Sequence, residues 1–232
     1  MIEVRKSGER GTANYGWLET YHSFSFGNYY DPDNVQFGPL RVLNEDFIKG
    51  GTGFDTHSHQ NMEIVTYVLS GTLEHKDSTG GEGLIKAGEL QRMSAGSGIY
   101  HSEKNASETE SVHLMQIWFV PDKEGIEPGY EQKEVSEGSD FFNSVVTKGG
   151  GDNKLDINQD ITIYVGDLSS GDTGSIEIAD GRLGYLHNSM IGTIKVNDST
   201  LEPGDGLKIT GPETLEIRAE SDSRLILFDM AP

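Results

Sequence analysis

Two histidines one residue apart, His57 and His59, stand in the stretch Asp55-Thr56-His57-Ser58-His59-Gln60-Asn61-Met62-Glu63, with a carboxylate four residues after the second. Successive side chains of a strand alternate faces, so the two imidazoles point the same way. Two imidazoles on one face can bind a transition metal, although a lone pair of this kind is a common accident of surface or packing. A second pair changes its meaning. His101-Ser102-Glu103 again places two ligand-type side chains at alternate positions. The run between the pairs is strand-like and broken by glycine turns, long enough to bring one strand back beside another in an antiparallel barrel. Together the pairs offer three imidazoles and one carboxylate, a nitrogen and oxygen set suited to iron, manganese, cobalt, nickel or zinc. Metal binding is the expectation.

The elements that must position these groups are short strands. The chain has 232 residues and 30 glycines, and β-type runs lie between glycines at intervals of about ten residues, as in all-β sandwiches and barrels. No segment shows a long helical period. The formal net charge is −20, from 18 Lys and Arg against 38 Asp and Glu. Such a surface repels phosphate backbones, so no direct nucleic-acid contact is expected, and solubility is the simplest reading of the charge. Without cysteine there are no disulfides, no thiol catalysis and no Cys-ligated zinc. Residues 1–10 lack the apolar core of a signal peptide and no apolar run reaches membrane-spanning length, so a cytoplasmic protein without a membrane segment is expected.

Several residues around the histidine pairs are candidates for a pocket. The segment 17–30 holds Trp17, Tyr21, Phe24, Phe26, Tyr29 and Tyr30 with His22 among them. It reads either as a packed loop over the end of a barrel or as a wall for a flat aromatic ligand, with His22 a hydrogen-bonded structural histidine. Met62–Leu69 and Val112–Val120 read as strands. Alternation puts Leu114, Gln116 and Trp118 of the second on one face and His113 on the other. His75 sits near the Ser78-Thr79-Gly80-Gly81 turn and is expected to be solvated. Pro121 to Ser139 is acidic, carries Gly125, Pro128 and Gly129, and is the best linker candidate. New β segments follow at 161–165, 175–178, 184–186, 190–196, 207–209, 215–218 and 225–228. The turn Leu201-Glu202-Pro203-Gly204-Asp205-Gly206 resembles Ile85-Lys86-Ala87-Gly88-Glu89, which suggests that the second half repeats the fold of the first. It does not repeat the ligands, because it holds one histidine, His187.

The spacing Gly51-x5-His57-x-His59-x3-Glu63 resembles the first cupin motif, and Gly88 followed by Ser94-Ala95-Gly96 and His101 resembles the second. Together with Trp17-Leu18-Glu19-Thr20-Tyr21-His22-Ser23-Phe24-Ser25-Phe26 and Leu43-Asn44-Glu45-Asp46, they resemble the pirin family, especially its bacterial quercetin 2,3-dioxygenase branch. The match is dense from about Trp17 to Pro121 and looser from about Asp160 to Pro232. Gly71 after Glu63 comes one place later than in other cupins, and Ser94 stands where other cupins carry proline; both departures are those of pirins. The resemblance implies an all-β bicupin of two tandem cupin (jelly-roll) barrels. Residues 1–132 would form the metal-binding cupin and 133–232 a degenerate cupin without ligands.

On the family's ligand positions stand His57, His59, His101 and Glu103. One divalent metal is implied, Fe(II) first, with Mn, Co, Ni, Cu or Zn as alternatives. Glu63, a ligand in many other cupins, is not expected to coordinate and is kept, with His22, Phe24, Phe26 and Gln116, as a residue of the pocket or behind the ligands. The implied activity is that of an enzyme, a dioxygenase that opens the ring of a flavonol such as quercetin with O2 and releases CO. Glu103 would act as the general base on the 3-hydroxyl. The implied partners are a small aromatic substrate and O2, and a monomer is expected. The family also covers metal- or redox-sensing regulators that bind a protein partner. That alternative, and a cupin isomerase or purely structural bicupin, stay open at the level of sequence.

Overall fold

The structure, a computed structural model, describes residues 1–134 and 141–232. It is all-β: apart from a 3-10 turn at Ser7–Glu9, the regular elements of the described residues are strands. No helix is long and apolar enough to cross a membrane. The contacts group the chain into two units. One comprises Gly11–Val135 with Gly149–Gln159, the other Met1–Arg10, Ser136–Lys148 and Asp160–Pro232. The units therefore interleave along the chain. The boundary expected between 132 and 133 falls inside the strand Gly129–Glu134.

The first unit has a seven-stranded antiparallel sheet. Its spatial order is Gly129–Glu134, Glu89–Ser94, Glu63–Ser70, Val112–Phe119, Leu40–Ile48, Leu18–His22 and Gly11–Asn14. A four-stranded sheet holds Gly53–His59, Ile99–Asn105, Thr72–Asp77 and Glu82–Lys86, in that order. The central strand Glu63–Ser70 is buried at seven consecutive positions, and its near-continuous apolar run follows from that place. Leu18, Ile48, Val68, Val112 and Leu114 of the larger sheet meet Leu73 and Ile85 of the smaller in one apolar cluster, so the core lies between the sheets.

The second unit repeats this plan. Its larger sheet carries Ile2–Arg5, Gly206–Thr210, Leu183–Asn188, Ser223–Met230, Ile161–Leu168 and Asn143–Thr147 in spatial order. The smaller carries Thr173–Ile178, Glu213–Ala219, Ile194–Val196 and Ser199–Leu201. In Glu213–Ala219 the buried residues Leu215, Ile217 and Ala219 alternate with exposed Thr214, Glu216 and Arg218, the pattern of a strand with one wet face. The turns that looked alike in sequence have the same backbone form: Gly88 has φ +84° and Gly204 φ +82°, a region that favours glycine.

Three expectations about local structure are corrected. Leu18–His22, within the aromatic segment, is not loop but a strand paired with Gly11–Asn14 and Leu40–Ile48. Its aromatic residues satisfy strand propensity as well as loop packing. Gly129–Glu134 lies inside the proposed linker yet pairs along its whole length with Glu89–Ser94; residues 135–139 of that linker lie outside the described residues. In the segment 190–196 only Ile194–Val196 is strand. Gly192 there has φ +79°, which ends regular extension.

Candidate metal centre

Gly53–His59 and Ile99–Asn105 are antiparallel neighbours, with His57 directly opposite His101 and His59 opposite Ile99. Strand parity puts His57 and His59 on one face, and pairing adds His101 to it. The ring centroids are 4.9 Å apart for His57–His59, 4.4 Å for His57–His101 and 4.9 Å for His59–His101. One ligand atom from each of the three lies within 4.8 Å of the others. Between His101 and Glu103 the register shifts, so that Glu103 faces Phe54 rather than Asp55. This bulge re-aims the carboxylate relative to the imidazoles.

Glu103 is 3% exposed. Gln91 Nε2 donates to its Oε1 at 2.6 Å and Gln116 Nε2 to its Oε2 at 2.6 Å. Thr66 Oγ1 donates to Oε1 at 3.3 Å. Three strands of the larger sheet thus hold one carboxylate of the smaller. Burial pushes the Glu103 carboxyl up to about 7, against the opposing pull of these three donors. A second triad of ligand atoms within 4.8 Å is His75, His101 and Glu103. His101 is therefore common to both groups, while Glu103 keeps to the buried side of it.

The imidazoles suit a metal electrostatically. Burial, then the neighbouring His57, lowers His59 to about 4; burial, then His57 and His59, lowers His101 to about 3. Both rings are neutral at neutral pH and keep a lone pair for coordination. His57 Nδ1 donates to the Asp55 carbonyl at 2.7 Å, which leaves its Nε2 as the acceptor. His59 Nε2 and both ring nitrogens of His101 are buried with no hydrogen-bond partner among the described residues. Buried polar atoms rarely stay unpaired, and a divalent cation would take His59 Nε2 and one nitrogen of His101. The donors present therefore fit a metal.

His75 was expected in solvent and is instead fully buried. It lies opposite Glu103 inside the sheet, ahead of the turn rather than on it. Its Nε2 meets Asp77 Oδ2 at 3.0 Å and its ring stacks on Tyr130 with centroids 4.6 Å apart.

The histidines open onto a cavity of about 860 Å³ within the first unit. Trp17, Phe26, Tyr29, Phe54 and Trp118 form much of its wall. Trp118 stands edge-on to His59 with centroids at 4.8 Å and to Phe26 at 5.4 Å. Of the candidate pocket residues, His22, Phe26 and Gln116 line the cavity. His22 Nδ1 is 2.9 Å from Asn44 Oδ1. Phe24 is fully buried and away from the wall.

Glu63 is also fully buried away from the cavity, accepting from Ser94 Oγ at 2.9 Å and from Asn158 N at 3.1 Å. The turn at Asn61, φ +49°, separates it from the His57/His59 strand and breaks their shared parity. His113 faces away from Gln116, 2.8 Å from Glu45 Oε1. Sequence reasoning did not single out Thr20, Asn44, Asp46 and Phe54, which also line the cavity. The signal available was the alternation of polar residues at Thr20 and His22 and at Asn44 and Asp46.

Comparison with known proteins agrees with this architecture. The pirin family pattern matches residues 3–119, and that of the quercetinase C-terminal cupin domain matches residues 144–230. The chain is 44% identical to quercetin 2,3-dioxygenase of Escherichia coli strain K12 over the full length of both. Among solved structures, that of YhhW from E. coli superposes with a TM-score of 0.95 at 44% identity, covering 100% of this chain and 98% of the other. Bacterial pirin YhhW from E. coli in complex with nickel(II) superposes with a TM-score of 0.93 at 44% identity, covering both chains fully. The chain belongs to the pirin family, with the bicupin fold.

Proposed function

We propose that this protein is a metal-dependent dioxygenase that opens the ring of a flavonol such as quercetin with O2 and releases CO. The observation that carries the reading is the cluster of three imidazoles at the wall of an aromatic-lined cavity, in which His59 Nε2 and the His101 nitrogens have no hydrogen-bond partner among the described residues. The full-length similarity to quercetin 2,3-dioxygenase supplies the substrate class. His57, His59, His101 and Glu103 would hold one divalent ion. When bound, it would act as a Lewis acid toward the enolic 3-hydroxyl of the flavonol and favour its deprotonation.

The chain's own residues account for the rest. A cavity of about 860 Å³ lies within the usual range for small-ligand sites, and its indole and phenyl faces suit a flat tricyclic substrate. These faces exclude water from the reacting carbons. Glu103 takes up the hydroxyl proton. It is buried at the cavity wall beside His101, where a carboxylate is placed to receive that proton. Gln91 and Gln116 fix both of its oxygens, so the proton is received at a defined place.

The test is oxygen uptake and CO release by untagged protein supplied with quercetin, after reconstitution in turn with iron, manganese, cobalt, nickel and copper. Consumption of one O2 for each CO formed, dependent on metal, is expected. No uptake with any metal or flavonol overturns the reading.

A further inference from the structure

The wall of the cavity formed by the larger sheet carries a polar group that the proposed reaction does not use. Thr20 and Asp46 are a cross-strand pair, as are His22 and Asn44, and all four line the cavity. His22 and Asn44 satisfy each other at 2.9 Å. Asp46 is different. It is 3% exposed, Thr20 hydrogen-bonds its carboxyl, and yet its Oδ1 has no hydrogen-bond partner among the described residues. A carboxyl oxygen desolvated and left unpaired is costly, and such a group on a cavity wall points to a ligand donor.

The charge around it narrows the donor. Glu103 and Glu45 both act on Asp46 electrostatically, and no cation faces it across the strands named above. The surrounding wall is aromatic, with Trp17, Phe26, Tyr29 and Trp118 lining it. Trp118 Nε1 is itself buried with no hydrogen-bond partner among the described residues. A flat ring bearing hydroxyls matches both features, since a hydroxyl can donate to a carboxyl and accept from an indole N–H.

We propose that Asp46 is a specificity-determining residue that accepts a hydrogen bond from a phenolic hydroxyl of the substrate, one other than the enolic hydroxyl at the metal. The inference rests on the flavonol reading above and adds that the substrate is a polyphenol rather than a bare flavonol. A site built to pair a ligand hydroxyl discriminates against the analogue that lacks it, because the protein group is then left unpaired.

The test is binding to nickel(II)-loaded protein without oxygen, so that turnover plays no part. Both tryptophans of the chain line the cavity, so quenching of their fluorescence reports occupancy directly. The probes are quercetin and 3-hydroxyflavone, which carries the enolic hydroxyl alone. Wild-type protein is expected to bind quercetin roughly 10- to 100-fold tighter, the usual cost of leaving a buried acceptor unpaired. Asp46→Ala is expected to bring that ratio close to one while 3-hydroxyflavone binds as before. Asp46→Asn, which keeps shape and an acceptor, should fall between, and it decides the matter if the alanine variant does not fold. An unchanged ratio in a folded variant overturns the assignment, as does equal binding of the two probes by wild type. If discrimination by Asp46 holds but no flavonol is turned over, the inference stands and the dioxygenase reading fails. If neither probe binds, both fail.

Discussion

Between the sheets of the second unit, Leu186, Leu207, Leu225 and Leu227 meet Ile178, Ile194, Leu215 and Ile217 in an unbroken apolar core. Between the sheets of the first unit, the apolar cluster around Val68, Leu73 and Leu114 occupies only part of the space. Beside it lies a cavity walled by aromatic rings, four histidines and the buried carboxyl groups of Asp46 and Glu103. The two units share a plan of one larger and one four-stranded sheet. Six of the seven histidines stand in the first unit and one, His187, in the second. Among the described residues, the clusters able to hold a metal fall in the first unit alone. The difference shows how a β sandwich acquires a site. Inward positions that would carry Leu or Ile carry His and Glu instead, and their desolvation is offset by neighbours such as Gln91 and Gln116 or by a bound ion.

The sharpest way to break this contrast is to remove an imidazole. His59→Ala should lose metal binding by more than about 100-fold, above the range seen when only the partners of ligands are removed. Elemental analysis of the dialysed protein reads this, and full occupancy in the variant would contradict it.

Next in size is Glu103→Gln. Turnover should fall by roughly two to four orders of magnitude, the worth of a general base. Metal occupancy must be measured in parallel, because an amide presents only one acceptor to the two glutamine donors now on Glu103. Unchanged turnover in a fully metallated variant removes Glu103 as the base.

The second unit gives the converse test. Leu227→Ala opens a void in its core and should lower stability by about 2 to 5 kcal/mol, read by denaturant unfolding. Metal content per folded chain should not change. If it drops in proportion, the division of labour between the units is wrong.

The smallest effect is a pH slope. The folded pKa of Glu103 is raised to about 7 from an ordinary carboxylate value, so the metal-free folded state binds its proton more tightly than the unfolded chain does. Its stabilising contribution is full below the ordinary carboxylate range and is lost as pH rises through about 7. The slope is at most about 1.4 kcal/mol per pH unit crossed. Above the ordinary histidine range, His59 and His101 are neutral in both states and add no slope. The Tm difference between metal-free wild type and Glu103→Gln should therefore shift against wild type as pH is raised from 5 to 8. A flat difference would place the Glu103 carboxyl in an ordinary environment.

Much of this was legible in the residues. The period-two spacing of His57 and His59 and of His101 and Glu103 is local, and the strand that carries each pair is extended as expected. The aromatic segment was visible as a candidate wall, and Trp17, Phe26 and Tyr29 are on it. What was not legible depends on pairing between distant strands. His75 looked like a turn residue because its burial comes from Glu103 and Tyr130, far off in sequence. Glu63 shares parity with the histidines on paper, but the turn at Asn61 intervenes. Asp46 faces the cavity through its pairing with Thr20, and that register cannot be read from either strand alone.

The central claim is that one metal sits in the first unit, among His57, His59, His101 and Glu103. Crystals of nickel(II)-loaded protein, measured at the nickel absorption edge, test it most directly. The account predicts a single anomalous peak per chain, within coordination distance of the three imidazoles and a Glu103 oxygen. A peak bound through His75 in place of His57 and His59, or one within Asp160–Pro232, would contradict it.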